Sequence, residues 1–216
     1  VAVFDQTSFS KYTVEGPGAL AALQWICAAD VDVPVDGCVY TPFLNRRGTY
    51  EADLTVTRTG PSSFLLVSSS ATTIRDLDWL RRQTPAGLEV SLADVTADHA
   101  VLGVMGPLSR DLLSGLSDAD LSEEGFPFAT SRVIEVVGRA VRATRMTYVG
   151  ELGWELMVPI ADAVTVHAAL VGGGAVNAGY YTIESLRLEK GYRAFGRELT
   201  PDLTPVEAGL MFATAL

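Results

Sequence analysis

A chain of 216 residues, 48% hydrophobic and 19% charged, can bury a sizeable core as one large domain or two small intertwined ones, and its composition excludes disorder. A formal net charge of −10 argues against a nucleic-acid or anionic-membrane partner, so an anionic ligand would need a locally placed Arg or Lys. Cys27 and Cys38, with His99 and His167 standing apart, make neither a disulfide framework nor a metal site; structural thiols in a reducing compartment are expected.

In chain order, Lys11–Glu15 reads as a short strand ended by Gly16-Pro17-Gly18, and Ala19–Ala29 has the apolar density of a buried helix. Gly37–Arg58 reads as a β-hairpin turning at Asn45-Arg46-Arg47-Gly48. Ser63–Ser68 is a strand, Thr72–Gln83 a helix with Arg81 and Arg82 at its C-terminal end, and Leu88–Val95 a strand. A second cycle of similar order follows: strand His99–Met105, Gly106-Pro107, and helix Leu108–Ser114. Ser117–Glu124 is acidic and expected to be exposed. Then come strands at Arg132–Val137, Ala140–Tyr148 and Gly153–Pro159, a helix over 161–170, and a helix over Thr182–Lys190 closed by Gly191.

This pattern predicts an α+β fold with two antiparallel-sheet lobes and packed helices. The expected division is 1–11 with 95–216 as one discontinuous lobe and 12–94 as the other. No apolar run has membrane-spanning length and no signal or transit peptide is visible, so a cytoplasmic location is expected, in a bacterium sooner than in a mitochondrial matrix. The chain lacks an initiator Met and stops abruptly after Phe212-Ala213-Thr214-Ala215-Leu216, and it reads as a piece of something longer.

Three stretches could carry chemistry. In the first hairpin the second arm alternates, with Tyr50, Ala52, Leu54 and Val56 on one face and Glu51, Asp53, Thr55 and Thr57 on the other. With a four-residue turn, Leu44 pairs with Thr49, which sets Tyr40 directly opposite Asp53. A carboxylate beside a tyrosine could act as a base on a planar, nitrogen-bearing ligand; the same alternation also fits a solvated outer face. In the second hairpin a tight turn around Gly150–Gly153 would set Tyr148 opposite Glu155. Such a pair can hydrogen-bond the amino-pyrimidine edge of a heterocycle while the ring stacks on its face. In Ser185–Gly191 the planar fork of Arg187 suits a carboxylate, although an ordinary charged helix surface would look alike. No Walker loop, no G-x-G-x-x-G after a strand and no G-x-S-x-G elbow is present, so no motif here binds a nucleotide phosphate or a flavin.

FDQTSFSKYTVEGPGAL (4–20), YTPFLNRRGTYEADLTVTR (40–58), VLGVMGPLSRDLL (101–113), TYVGELGWELMVP (147–159) and SLRLEKGYRAFGRELTPDLTPVEAGL (185–210) together resemble the folate-binding aminomethyltransferase family. That family includes the glycine cleavage T-protein and the folate domain of dimethylglycine and sarcosine dehydrogenases, and the chain is more similar to the dehydrogenase branch. The resemblance implies three lobes around a hole holding tetrahydrofolate, of which this chain would hold the first two and lack the C-terminal β-barrel. It implies one-carbon transfer to tetrahydrofolate, with Asp53 near the reacting nitrogens, Tyr40 lining the pocket, Tyr148 and Glu155 holding the pterin, and Arg187 near the ligand. An FAD-bearing oxidoreductase domain, upstream in the same protein or in a partner, would supply the iminium or aminomethyl donor. A non-catalytic folate-binding or scaffold domain of the same fold is the alternative, and an O- or S-demethylase a third. Gly48-Thr49-Tyr50 departs from the pair of small residues that many relatives carry after the turn. Tyr50 is expected on the face opposite Asp53.

Overall fold

The computed structural model describes residues 1–215. Its elements begin with β1 (Ala2–Asp5), β2 (Ser10–Glu15), α1 (Ala19–Ile26), β3 (Cys38–Leu44), β4 (Tyr50–Gly60) and β5 (Ser63–Ser68). They continue with α2 (Thr73–Gln83), β6 (Ser91–Asp94), β7 (His99–Met105), α3 (Ser109–Ser114), β8 (Ser131–Val136) and β9 (Arg139–Thr144). The last are β10 (Gly153–Pro159), α4 (Ala163–Gly172), β11 (Val176–Ala178) and α5 (Tyr180–Glu189). No described helix is long and apolar enough to cross a membrane.

The chain divides into two compact units, Val1–Ser8 with Ala97–Tyr192 and Phe9–Thr96 with Arg193–Leu216. The first holds a six-stranded sheet ordered β11-β1-β7-β10-β9-β8, antiparallel except for the β1–β11 pair. The second holds a five-stranded antiparallel sheet ordered β3-β4-β5-β2-β6. The fold is therefore α+β with two antiparallel-rich sheets, as the patterning predicts.

Period-two alternation sorts each sheet into a core face and a working face. In the first unit Trp154, Leu156 and Val158 of β10 join Leu102 and Val104 of β7, and Leu113, Val166 and Leu170 from α3 and α4 cover them. Burying each such side chain stabilises by about 1.5–3 kcal/mol. The opposite face carries Phe4 and Met105, which pack with Val149 and with Ile183 of α5. In the second unit Tyr12, Val14, Ala52, Leu54, Val56, Phe64 and Leu66 pack beneath Ala19, Leu23 and Ile26 of α1 and Leu80 of α2.

Both units use one device to pass from strand to helix. Gly16 (φ 118°) and Gly106 (φ 131°) sit in conformations open to glycine, each followed by proline and then a helix. A methyl group on Gly16 would stand 2.5 Å from the Glu89 carbonyl oxygen, so this turn requires glycine twice over.

Several boundaries differ from those expected. Residues 193–216 were expected with the first unit, but the segment belongs with Phe9–Thr96. Leu199, Ala208 and Leu210 pack on Tyr50, and the Tyr50 N–H donates to the Leu203 carbonyl at 3.0 Å. Strands β1 and β11 were not foreseen, because segments of four and three residues are too short to display alternation. The strand expected over Ala140–Tyr148 stops at Thr144, and within the acidic Ser117–Glu124 stretch Leu121 is buried in the core.

Candidate functional site

In the second unit, β3 and β4 present the first acid–tyrosine pair. The Tyr40 hydroxyl donates to Asp53 Oδ2 at 2.8 Å. The two are not directly opposite, however: Tyr40 faces Thr55, and Asp53 faces Pro42. The loop holds five residues, with Asn45 N–H donating to Thr49 O and Leu44 paired to Tyr50, which shifts the register by one. A bulge then skips Glu51 and shifts it by one more. A single slip would have sent Asp53 to the other face; two restore it, and the long tyrosine spans the diagonal.

Burial pushes the Asp53 carboxyl up to about 6; the Tyr40 hydrogen bond works against this, and the Asp76 carboxylate adds to it. Asp76, 2% exposed, is held by Ser68 and Thr72, whose hydroxyls donate to its Oδ2 at 2.8 Å each. Its own carboxyl is likewise raised by burial. Sequence reading passed over Asp76, yet its place four residues before the buried Leu80 aims it inward. Tyr50 was expected on the face opposite Asp53, but the bulge at Glu51 reverses it. Tyr50 pairs with Leu44, on the face of Pro42 and Asp53, and packs with Leu199, Ala208 and Leu210 instead of the Ala52, Leu54 and Val56 core. Its buried hydroxyl has no partner among the described residues, and burial pushes it up to about 12.

In the first unit, the expected pairing of Tyr148 with Glu155 does not form. Glu155 faces Thr144 on β9 and Gly103 on β7. Tyr148 lies instead in the connection between β9 and β10, packed against the Phe4, Met105, Val149 and Ile183 cluster. Its ring is tilted toward Tyr192 at 6.1 Å. The connection is too long for a tight hairpin, and Gly150 (φ 68°) turns it beneath the aliphatic stem of Lys190. Tyr148 and Glu155 thus share the working face of this sheet without being a cross-strand pair.

Glu155 is half-buried, and burial pushes its carboxyl up to about 7. Gln6 stands near enough to lower that value part of the way, yet short of hydrogen-bond geometry: neither polar atom of its amide has a partner among the described residues. Sequence reading also missed Gln6, whose setting depends on three strands far apart in the chain. Arg187 is only 1% exposed; its guanidinium donates to the Tyr192 carbonyl oxygen at 2.7 Å and pairs with Glu184. Its fork therefore holds the turn that carries Tyr192, beside Tyr148. A shallow hollow lined by His99, Val133, Arg142 and Met157 lies farther along β10 and holds no carboxylate. Among the described residues no cluster of His, Cys, Asp and Glu could hold a metal ion.

Each unit thus presents a carboxylate of near-neutral proton affinity with a tyrosine on the same sheet face. Such groups exchange protons near pH 7 and can accept hydrogen bonds from an N–H-bearing heterocycle.

Comparison with known proteins identifies the family and the fold. The family model described as "GCVT N-terminal domain" matches residues 1–216. The chain is 40% identical to mitochondrial sarcosine dehydrogenase of Mus musculus, over the whole chain and 25% of that protein. It is 41% identical to the formaldehyde-forming 4-methylaminobutanoate oxidase of Paenarthrobacter nicotinovorans, over the whole chain and 27% of that protein. Among solved structures it matches glycine cleavage system aminomethyltransferase T from Bartonella henselae with a TM-score of 0.87 and 27% identity, covering 99% of this chain and 57% of that one. The chain spans about a quarter of the length of these two curated relatives.

Proposed function

The chain belongs to the GCVT N-terminal domain family, as an aminomethyltransferase-type domain related to sarcosine dehydrogenase, and from this we propose that it serves tetrahydrofolate-dependent one-carbon transfer. The observation that carries the reading is the Tyr40–Asp53 hydrogen bond on a carboxyl of near-neutral proton affinity. Tetrahydrofolate, when bound, supplies the nitrogen nucleophiles that take up the one-carbon unit.

The chain's own residues fit such a ligand. Asp53, with its carboxyl raised to about 6, is mostly ionised at pH 7 and can accept the proton that leaves a nitrogen as it bonds to carbon. Tyr40 fixes the rotamer of that carboxylate, and a positioned proton acceptor typically contributes about 10²–10⁴-fold. Glu155 accepts hydrogen bonds from the amino-pyrimidine edge of the pterin, and Tyr148 offers an aromatic surface to the ring. Arg187 acts as a positioning residue, through the turn that holds Tyr192 beside Tyr148. An iminium or aminomethyl donor, produced from an N-methyl amine by a flavin oxidoreductase in the same protein or a partner, completes the reaction. Amine oxidation is assigned to sequence outside this chain.

The test is to supply the intact protein with an N-methyl amine, with and without tetrahydrofolate, and to measure methylenetetrahydrofolate against free formaldehyde. Folate-dependent diversion of the carbon, abolished in Asp53→Asn, is expected. Folate binding without any diversion would favour the scaffold alternative, and no binding at all would overturn the folate reading.

A further inference from the structure

Strands β1, β7 and β10 lie side by side, so Phe4, Gly103 and Glu155 form one row across the sheet. Gln6 continues the β1 ladder, its N–H donating to Val101 O at 2.9 Å, and side-chain parity places it on the same face as Phe4. Its amide then reaches over Gly103. A methyl group at Gly103 would stand 2.4 Å from Gln6 Oε1 and 2.6 Å from the Met105 methyl carbon. Glycine in mid-strand forfeits packing and backbone entropy, and it marks a close approach. Here the group approaching is the Gln6 amide, brought beside Glu155.

That amide is 4% exposed, and neither its nitrogen nor its oxygen has a hydrogen-bond partner among the described residues. A buried amide left unsatisfied is costly and rare in folded proteins, and a ligand with a matching edge removes the cost. Beside it, the Glu155 carboxylate is an acceptor that offers no N–H. The two side chains therefore present a donor next to an acceptor pair. The 4-oxo, N3–H and 2-amino groups along one edge of a pterin read as acceptor, donor, donor, which is the complement.

We propose that Gln6 is a specificity-determining residue of the Glu155 site, its amide N–H donating to the 4-oxo group of the pterin whose N3–H and 2-amino group Glu155 accepts. This rests on the reading of Glu155 as the pterin acceptor.

The experiment titrates 5-formyltetrahydrofolate into the intact protein by calorimetry, for wild type, Gln6→Met, Glu155→Gln and the double variant, with thermal melts of each without ligand. Methionine keeps the length and removes both polar atoms. Gln6→Met should weaken binding about tenfold, and by less than about threefold in the Glu155→Gln background, as expected for two groups reading one edge. The ligand-free variant should melt no lower than wild type, since an orphaned amide has been removed. Unchanged affinity in Gln6→Met while Glu155→Gln binds weakly overturns the role of Gln6 and leaves the Glu155 reading standing. Unchanged affinity in both overturns the Glu155 reading itself. A loss in Gln6→Met that is accompanied by a lower melting temperature, or is independent of Glu155, makes the amide structural and overturns the proposal.

Discussion

Tyr40 donates to Asp53 across a diagonal of the β3–β4 ladder, 2.8 Å from hydroxyl to carboxylate. The phenol stabilises the charged form of an acid that burial would otherwise push still higher. Asp53→Asn keeps the shape and the acceptor for Tyr40 but cannot take a proton. In the intact protein it should slow methylenetetrahydrofolate formation by roughly two to three orders of magnitude, with folate affinity little changed. Stopped-flow turnover equal to wild type would remove Asp53 from the reaction.

If Asp53 is the base proposed above, the same hydrogen bond should set where activity begins on the pH axis. A base must be deprotonated, so the rate should rise with pH through about 6, the value to which the Asp53 carboxyl is pushed. Tyr40→Phe removes a hydrogen bond to a charged group and should move this limb upward by about one unit. An unmoved limb in the pH–rate profile of Tyr40→Phe would assign it to another group.

Glu155, the proposed pterin acceptor, also bears on stability. Its carboxyl is raised from 4.5 to about 7, so the folded chain binds more protons than the unfolded one between those values. Stability due to this group is present below about pH 4.5 and is lost as pH rises through about 7. Glu155→Gln should flatten that slope and make the ligand-free protein more stable at pH 7.5, by up to about 3 kcal/mol and less where solvent reaches the carboxyl. It should also bind folate about tenfold or more weakly, since a charge-assisted acceptor is lost. Urea denaturation at pH 4.5, 6 and 7.5 gives the slope, and an identical slope in the variant would mean that Glu155 is not raised.

The turn before α1 gives a prediction about folding alone. Gly16→Ala meets both a positive φ of 118° and a carbonyl oxygen at 2.5 Å, whereas Gly48→Ala meets a φ of 76° with nothing within 4 Å. The first should cost about 1–3 kcal/mol from backbone conformation, plus the clash, and the second about 1–2 kcal/mol. Denaturant midpoints for the two variants that fall together would show that the chain around Glu89 gives way.

Much of the candidate site was legible in the sequence, for a physical reason. Alternation along β4 depends only on side-chain parity, so the face of Asp53 can be read without knowing the register. The register itself cannot, because the loop length and the Glu51 bulge each add one residue without a composition signal, and only their sum restores parity. Tyr148 was misplaced because Arg145–Leu152 has the composition of a strand and turn, yet it packs as an irregular connection on Phe4 and Met105. Arg187 looked like a ligand for an anion, and its burial against the Tyr192 carbonyl is tertiary information. Asp76 could have been found from its spacing to Leu80. Gln6 could not, since its meaning depends on Gly103 and Glu155, which pairing alone brings near.

Gly103 offers a way to move Gln6 without touching it. The obstacles to a methyl group there are the ends of two flexible side chains, Gln6 Oε1 and the Met105 methyl, and the backbone is not in the left-handed region. Gly103→Ala should therefore fold, with a stability change smaller than that of Gly16→Ala, because rotating two side-chain ends costs less than moving a backbone carbonyl. The Gln6 amide must leave its place over the strand, so affinity for 5-formyltetrahydrofolate should fall about as far as in Gln6→Met. The two changes act on one group and should not add: the double variant should bind about as weakly as either single one. Additive losses would mean that Gly103 admits the ligand itself through its missing side chain, independently of Gln6. Full affinity in a folded Gly103→Ala protein would mean that the amide keeps its contact from a shifted position, and the close approach over β7 would then carry no selectivity.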